Sequence, residues 1–316
     1  MKIGVSECLL GCKCRYDGGH SKDDFINTAL SQHFQFVPFC PEKMIFPTPR
    51  EAIRQIQIED EVKVFTSNTS KDVTNSLKEI SKKCAKEIQE HDLCGFILKS
   101  KSPTCGLERV KVYQPKNAPS EKKGVGFFAK EILELYPYLP IEEEGRLSDA
   151  WLRENFLMQV FAYAHLQEFL KSTPSMSDLV VFHTSYKYLI YAKSHEKYKT
   201  LGNIVANHEK LTFEALLERY KEEFLKAISL KGSVKKTYNV LLHMFGYFKT
   251  YISKGEKEEI LEAIEEYKQR IIPLVAVMKV LKLYASRFNV EYLLGQKFLS
   301  PYPKELALRS DIKAYK

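Results

Sequence analysis

The 316-residue chain has no cysteine after position 105, no CxxC pair, and no apolar run approaching the ~20 residues of a membrane span. The missing span excludes an integral helical membrane protein. The missing CxxC pairs exclude zinc ribbons and knuckles, which hold their metal on paired cysteines. No internal repeat and no low-complexity tract occurs, so a solenoid or a disordered linker protein is excluded as well. The opening Met1-Lys2-Ile3-Gly4-Val5 reads as a strand entering a turn and lacks a signal-peptide core, which makes the cytoplasm the expected compartment. The seven cysteines are an odd number for a disulfide framework, which leaves metal binding, catalysis or burial as their uses.

Hydrophobic residues make up 44% and charged residues 28%, the composition of a folded globular protein. The length suits two domains of about 150 residues. Charge and cysteine divide along the chain in opposite ways. Residues 1–150 carry 22 basic and 22 acidic side chains, so the formal +8 lies wholly in residues 151–316, and all seven cysteines precede residue 106. A basic excess confined to one module fits a polyanion partner such as nucleic acid; a solvated Lys/Glu helix surface fits it too.

Residues 1–136 alternate short strand-like runs, Lys2–Val5, Phe34–Phe39 and Leu93–Leu98, with a polar helix over about Asn75–His91. This predicts an α/β domain with a largely parallel sheet, followed by an all-α domain, with boundaries of 1–140 and 141–316. The Pro-rich acidic passage Tyr136–Arg146 reads as the linker. Helical spacing of apolar residues then covers about Trp151–Leu170, Leu179–His195, Phe213–Ala227, Val234–Thr250, Lys257–Gln269, Pro273–Phe288 and Val290–Phe298. Ligands of parallel sheets sit beyond the carboxyl ends of the strands. That rule sets three cysteine-bearing loops side by side: Ser6–Gly19, Cys40–Arg50 and Ser100–Gly106.

Thiolates arriving singly from three strand ends suit an iron–sulfur cubane with one iron left open. The motifs Ser6-Glu7-Cys8-Leu9-Leu10-Gly11, Cys14-Arg15-Tyr16-Asp17-Gly18, Cys40-Pro41-Glu42 with Pro49-Arg50, Asp72-Val73-Thr74 and Lys99-Ser100-Lys101-Ser102-Pro103-Thr104-Cys105-Gly106 occur in that order. Over about residues 1–140 the chain thereby resembles the thiouracil desulfidase (TudS) family. The resemblance implies a 4Fe-4S cluster on Cys8, Cys40 and Cys105, whose free iron takes the substrate's sulfur. It places Glu42 on the family's acid/base carboxylate and Ser102 on its substrate-positioning serine, and Ser100, in the same motif as Ser102, is a third catalytic candidate. The chain departs from the family after Glu42, where Lys43-Met44-Ile45-Phe46-Pro47 holds no glycine. The implied reaction is non-redox removal of sulfur from a thiolated uracil. Soft iron–sulfide centres prefer a thiocarbonyl sulfur over a carbonyl oxygen, and coordination activates the carbon for water. Glu42 also has a plainer reading as a helix-start carboxylate.

Leu152-Arg153-Glu154-Asn155-Phe156, Phe182-His183, Lys187-Tyr188, Leu201-Gly202, Lys235-Lys236, His243 and Gly246-Tyr247-Phe248 extend the resemblance to the helical domain of RudS-type tRNA 4-thiouridine desulfidases. That resemblance implies tRNA as the partner. Lys235, Asn239 and His243 share a helix face at i, i+4, i+8, with Lys236 beside them; His183 and Lys187 repeat the i, i+4 relation. With Tyr186, Tyr188, Tyr191 and Tyr247 near, these residues are candidates for phosphate contact and base stacking, although lysines and histidines also decorate solvated helix faces. Two other functions stay open: desulfidation of free thiouracil-type bases, and a non-catalytic iron–sulfur or zinc protein. Cys84 and Cys94 read as packed core thiols, and Asp17-Gly18-Gly19 as a turn ordering the first loop. The roles of Cys12 and Cys14 stay open; either is a candidate spare ligand.

Overall fold

The strand Leu93–Leu98 is buried at every position, and Lys2–Ser6 at all but its first. Such uninterrupted burial is what central strands of a parallel sheet covered on both faces require. The computed structural model, which describes residues 1–114 and 119–307, places them so. In the first of two compact units, Met1–Phe156, the strands are β1 (Lys2–Ser6), β2 (Gln35–Phe39), β3 (Ile53–Ile58), β4 (Glu61–Thr66), β5 (Leu93–Leu98), β6 (Val110–Tyr113), β7 (Glu121–Gly124) and β8 (Ile141–Glu143). The first sheet has the order β2-β1-β5-β8 and is parallel throughout. Its helices are α1 (Asp24–Thr28), α2 (Pro41–Ile45), α3 (Thr74–Glu87) and α4 (Phe127–Leu135). Phe39, Phe96 and Phe128 meet in an aromatic cluster that joins β2, β5 and α4. Gly4 is needed there, because a Cβ would stand 2.3 Å from the Phe96 ring.

A second sheet, β4-β3-β6-β7, goes beyond what the sequence pattern predicts. Its strands are short, and its charged members Arg54, Lys63, Lys111 and Lys122 break the apolar signal. The acidic passage is also corrected. It is not a linker: Ile141–Glu143 pairs in parallel with β5 and leaves Glu142 and Glu143 buried. The Arg146 guanidinium neutralises Glu142, while the Glu143 carboxylate accepts the Leu107 N–H at 2.8 Å. Pattern reading fails here because buried carboxylates look like solvated ones until their partners are known.

The second unit, Leu157–Lys316, is helical wherever it has regular structure among the described residues. Following α5 (Ala150–Lys171) come α6 (Met176–Lys193), α7 (His195–Ala206), α8 (Phe213–Ser229), α9 (Val234–Phe245), α10 (Lys254–Lys268), α11 (Leu274–Arg287) and α12 (Glu291–Leu294). Phe182, Tyr186, Tyr220 and Phe224 form its aromatic centre. The helix α7 escapes the pattern because Ser194 interrupts α6 in an extended conformation. Its hydroxyl then accepts from the Lys197 N–H and starts a new helix. No helix among the described residues is long and apolar enough to cross a membrane.

Candidate active site

Because β1, β2 and β5 are adjacent and parallel, the segments leaving their carboxyl ends converge. A cavity of about 360 Å³ opens there, lined by Cys8, Cys14, Cys40 and Cys105 together with Glu42 and Ser102. Cys8 lies in the 3-10 turn Glu7–Leu10 that follows β1, and Gly11 ends this turn with φ +91°, a conformation that favours glycine. Cys40 immediately precedes α2, with Pro41 as that helix's first residue. Cys105 sits in a tight loop held by the Gly106 N–H on the Ser102 carbonyl at 2.8 Å. A Cβ on Gly106 would stand 2.8 Å from that carbonyl oxygen, so the loop closes only around glycine.

Glu42 stands at the first turn of α2, and both its carboxylate oxygens are held. Thr104 Oγ1 donates to Oε1 at 2.7 Å, and Arg50 Nη2 donates to Oε2 at 2.7 Å. The same guanidinium donates twice to the Cys14 carbonyl, at 3.1 Å each, and once to Thr48 Oγ1 at 3.1 Å. Arg50 Nε is buried with no protein acceptor. Ser102 Oγ accepts the N–H groups of Thr104 and Cys105 at 3.2 and 3.1 Å, which fixes the hydroxyl at the cavity wall. Ser100 also lines the cavity, yet its hydroxyl donates to Glu144 Oε1 at 2.8 Å and its N–H to Glu144 Oε2 at 2.7 Å. Glu144 also pairs with Lys99. The acidic run that reads as a linker in the sequence therefore fixes the loop that carries Ser100, Ser102 and Cys105.

The thiols suit a soft cation. A hydrogen bond shared with Cys14, then burial, pushes the Cys40 thiol up; burial pushes Cys105 up. For Cys14, the hydrogen bond with Cys40 pulls down, but the contact with Cys8 and burial outweigh it and raise the thiol to about 12. Thiols packed this closely resist ionising together unless a metal takes the charge, and a coordinating thiol deprotonates outright. Glu7, Cys14 and Cys40 offer ligand atoms within 4.8 Å of one another. Cys12 is exposed, whereas Cys84 and Cys94 are buried in the core, as their sequence settings predict. Asp17 accepts the Gly19 N–H at 3.0 Å and makes the expected turn.

A family model described as 2-thiouracil desulfurase matches residues 3–144, and a second, described as a protein of unknown function (DUF1722), matches residues 187–303. The protein YbbK of Bacillus subtilis (strain 168) is 33% identical over 111 residues, covering 33% of this chain and 72% of YbbK. The chain belongs to the 2-thiouracil desulfurase family. The protein YbgA of Escherichia coli (strain K12) is 26% identical over 157 residues, 49% of this chain and 93% of YbgA. Among solved structures, the [4Fe-4S]-dependent thiouracil desulfidase TudS is 26% identical and covers 46% of this chain and 92% of its own, with a TM-score of 0.38. As a desulfurase-family member the chain has its family match over the unit that holds the cysteine cavity.

The candidate RNA residues divide. Lys235, Lys236, Asn239 and His243 are exposed on α9, but Lys236 Nζ donates to the Lys193 carbonyl at 2.8 Å, and His243 faces the Tyr191 hydroxyl at 3.4 Å. His183 is corrected: only 3% exposed, it shares a 3.2 Å hydrogen bond with the Tyr220 hydroxyl, and burial lowers its pKa to about 4. Such a neutral core imidazole supplies no charge to a phosphate. Tyr186 is likewise a core ring and not a stacking platform. Lys187 lines a cleft of about 450 Å³ between α6 and α7, with Thr184, Tyr198, Lys199 and Asn203. Sequence reasoning misses the partners of Glu42. Arg50 and Thr104 are visible inside the motifs, but nothing in the spacing says that they meet one carboxylate from 8 and 62 positions away.

Proposed function

We propose that this desulfurase-family protein binds a 4Fe-4S cluster through Cys8, Cys40 and Cys105 and removes sulfur from a thiolated uracil, its substrate being 4-thiouridine in tRNA. The observation that carries the reading is the meeting of these three thiols with the doubly anchored Glu42 carboxylate in one cavity. When bound, the cluster supplies a thiophilic Lewis acid for the substrate's sulfur. The chain's own residues do the rest. Arg50 and Thr104 fix the Glu42 carboxylate, which holds the proton of the attacking water or returns it to the ring. The Ser102 hydroxyl, fixed at the cavity wall by two backbone N–H groups, orients the base by hydrogen bonding. Ser100, engaged by Glu144, keeps that loop in place. The products are uridine and sulfide, with no net redox change.

Two features support an RNA substrate over a free base. Residues 151–316 hold the chain's entire formal excess of +8, and Lys187, Lys235, Asn239 and His243 offer phosphate and base contacts there. Next to the cysteine cavity, a second cavity of about 760 Å³ shares Ser100, Lys101 and Pro103 and is lined by the cations Arg54, Lys111 and Lys122, together with Arg109 and Arg146, which are paired with Glu108 and Glu142. A phosphate-bearing substrate would use those cations; a free thiouracil would not. The test is anaerobic incubation with bulk tRNA followed by nucleoside analysis. The expected result is loss of 4-thiouridine with a matching gain of uridine. Unchanged tRNA alongside turnover of free 4-thiouracil would shift the assignment to the free base, and no turnover of either would overturn the reading.

A further inference from the structure

Helix α7 carries a glycine that its packing does not call for. Gly202 stands inside the helix, where only proline is less favourable. A Cβ there would meet no atom within 4 Å outside the helix's own backbone, so no neighbour requires the small residue. What the missing side chain leaves open is the cleft of about 450 Å³ between α6 and α7. That volume lies within the range of small-ligand sites, about 300–1,000 Å³.

The walls of the cleft are chemically one-sided. Val180, His183 and Lys187 form a stripe on α6, and Tyr198, Gly202 and Val205 form another on α7, with Lys199 and Asn203 beside it. No carboxylate of the described residues lines the cleft, and neither Lys187 nor Lys199 has an ion pair among them. Lys197, on the same helix but outside the cleft, does pair, with Glu223 at 2.8 Å. Tyr198 stacks on Tyr191 at 5.2 Å, which fixes the tilt of its ring.

His183 adds a neutral donor. Its Nδ1 meets the hydroxyl of Tyr220 at 3.2 Å, and Tyr220, wholly buried, has no other hydrogen-bond partner among the described residues. A buried phenol whose proton finds no acceptor costs the desolvation of that donor, so the Tyr220 hydroxyl donates and Nδ1 accepts. The ring proton is then on Nε2, on a side chain that lines the cleft.

We propose that the α6–α7 cleft is a nucleotide-binding site: Lys187 and Lys199 take the phosphate, His183 and Asn203 hydrogen-bond to the nucleotide's oxygens, and Tyr198 with Val180 covers the base. A terminal phosphate carries about −1.5 to −2 charge at pH 7, and two unpaired ammonium groups match it. Two successive phosphodiesters of an RNA strand present the same charge. The nucleotide is therefore either free or one unit of a strand, and the second source rests on the tRNA reading above.

The test measures UMP, uridine and tRNA binding to the full chain by calorimetry. Wild type is compared with Gly202→Ala, Gly202→Leu and the double variant Lys187→Gln/Lys199→Gln. Gly202→Ala should raise Tm by about 2–4 °C, because helix propensity improves and nothing is displaced. Gly202→Leu, which fills the cleft, should stay folded and lose at least roughly 10-fold in UMP affinity. The lysine variant should lose as much for UMP and leave uridine unchanged, as expected for hydrogen bonds to a charged group. A parallel loss of tRNA affinity in Gly202→Leu assigns the site to an RNA strand; unchanged tRNA affinity assigns it to a free nucleotide. UMP and tRNA affinities that both stay at the wild-type level in Gly202→Leu overturn the proposal. So does an equal loss for UMP and uridine in the lysine variant. None of these readouts needs a cluster, so their failure leaves the desulfidase reading to the nucleoside analysis of tRNA.

Discussion

Replacing Arg50 by methionine keeps the approximate volume of the side chain and removes its charge and its donors. Four hydrogen bonds go with it: one to Glu42 at 2.7 Å, two to the Cys14 carbonyl and one to Thr48 at 3.1 Å. The side chains of Arg50 and Glu42 are 6% and 15% exposed, so the carboxylate left behind is poorly reached by water. Removing one partner of a buried pair costs about 3–5 kcal/mol, and the residual exposure of Glu42 puts this case near the lower end. For a unit of this size 1 kcal/mol corresponds to roughly 2–4 °C in Tm, so a fall of about 6–12 °C is expected. The double variant Arg50→Met/Glu42→Gln, which leaves no charge unpaired, should recover at least half of that loss. Anaerobic thermal unfolding of the wild type, both single variants and the double variant gives the coupling directly. A loss below about 1 kcal/mol in Arg50→Met, or a double variant that simply adds the two single losses, refutes the argument.

Cys8→Ala, Cys40→Ala and Cys105→Ala should each abolish the reconstituted cluster, whereas Cys84→Ala and Cys94→Ala should retain it; full iron content in Cys105→Ala would defeat the ligand assignment. Glu42→Gln should keep the cluster and bind thiolated substrate but lose at least ~100-fold in turnover, measured by single-turnover sulfide release. Lys193, whose Nζ is buried on the Leu230 carbonyl at 2.7 Å, has its pKa lowered by burial from 10.5 to about 7. Between those values the unfolded chain binds more protons than the native one. Lys193 therefore makes stability rise as pH climbs from about 7 toward 10.5, and below about 7 its penalty is constant. The Tm difference between wild type and Lys193→Met should accordingly change across this range, and a flat difference would contradict the burial argument. Lys187→Glu with Lys235→Glu should weaken tRNA binding and flatten its salt dependence without changing turnover of small thiolated bases. Lys236 is left out of that pair because its Nζ supports the end of α6 through the Lys193 carbonyl.

Periodicity carries most of the fold. The strands at Lys2, Gln35 and Leu93 and the helix over Thr74–Glu87 fall close to where alternation and apolar runs place them. Elements held by long-range partners escape it. The edge strand Ile141–Glu143 reads as an acidic loop until β5, Arg146 and the Leu107 N–H are beside it. His183 and Lys187 look alike at i, i+4 and line the same cleft, yet the imidazole is buried on the Tyr220 hydroxyl while the lysine is only half-buried. A helix face four residues apart is wide enough for one of its members to turn inward, and only the neighbouring α8 decides which.

The site shows the same division between what local order can carry and what it cannot. Each cysteine motif is a short string, and the parallel order β2-β1-β5 is enough to bring three of them together, because all three strands end at the same edge. Partnership inside the cavity follows different rules. Glu42 meets Arg50 across 8 positions and Thr104 across 62, while Cys14 receives Arg50 across 36. These contacts turn a set of thiols and one carboxylate into a single connected unit. A change at Arg50 is therefore felt at once by the proposed acid/base carboxylate, Glu42, and by Cys14 beside the proposed iron ligands. Net charge hides in a similar way. A unit with equal numbers of acids and bases still gathers Arg54, Arg109, Lys111, Lys122 and Arg146 around one cavity; Arg109 and Arg146 are paired with Glu108 and Glu142, while other carboxylates are used elsewhere, Glu42 on Arg50 and Thr104 and Glu144 on Lys99 and Ser100. A neutral sum is therefore compatible with several cations gathered around one cavity.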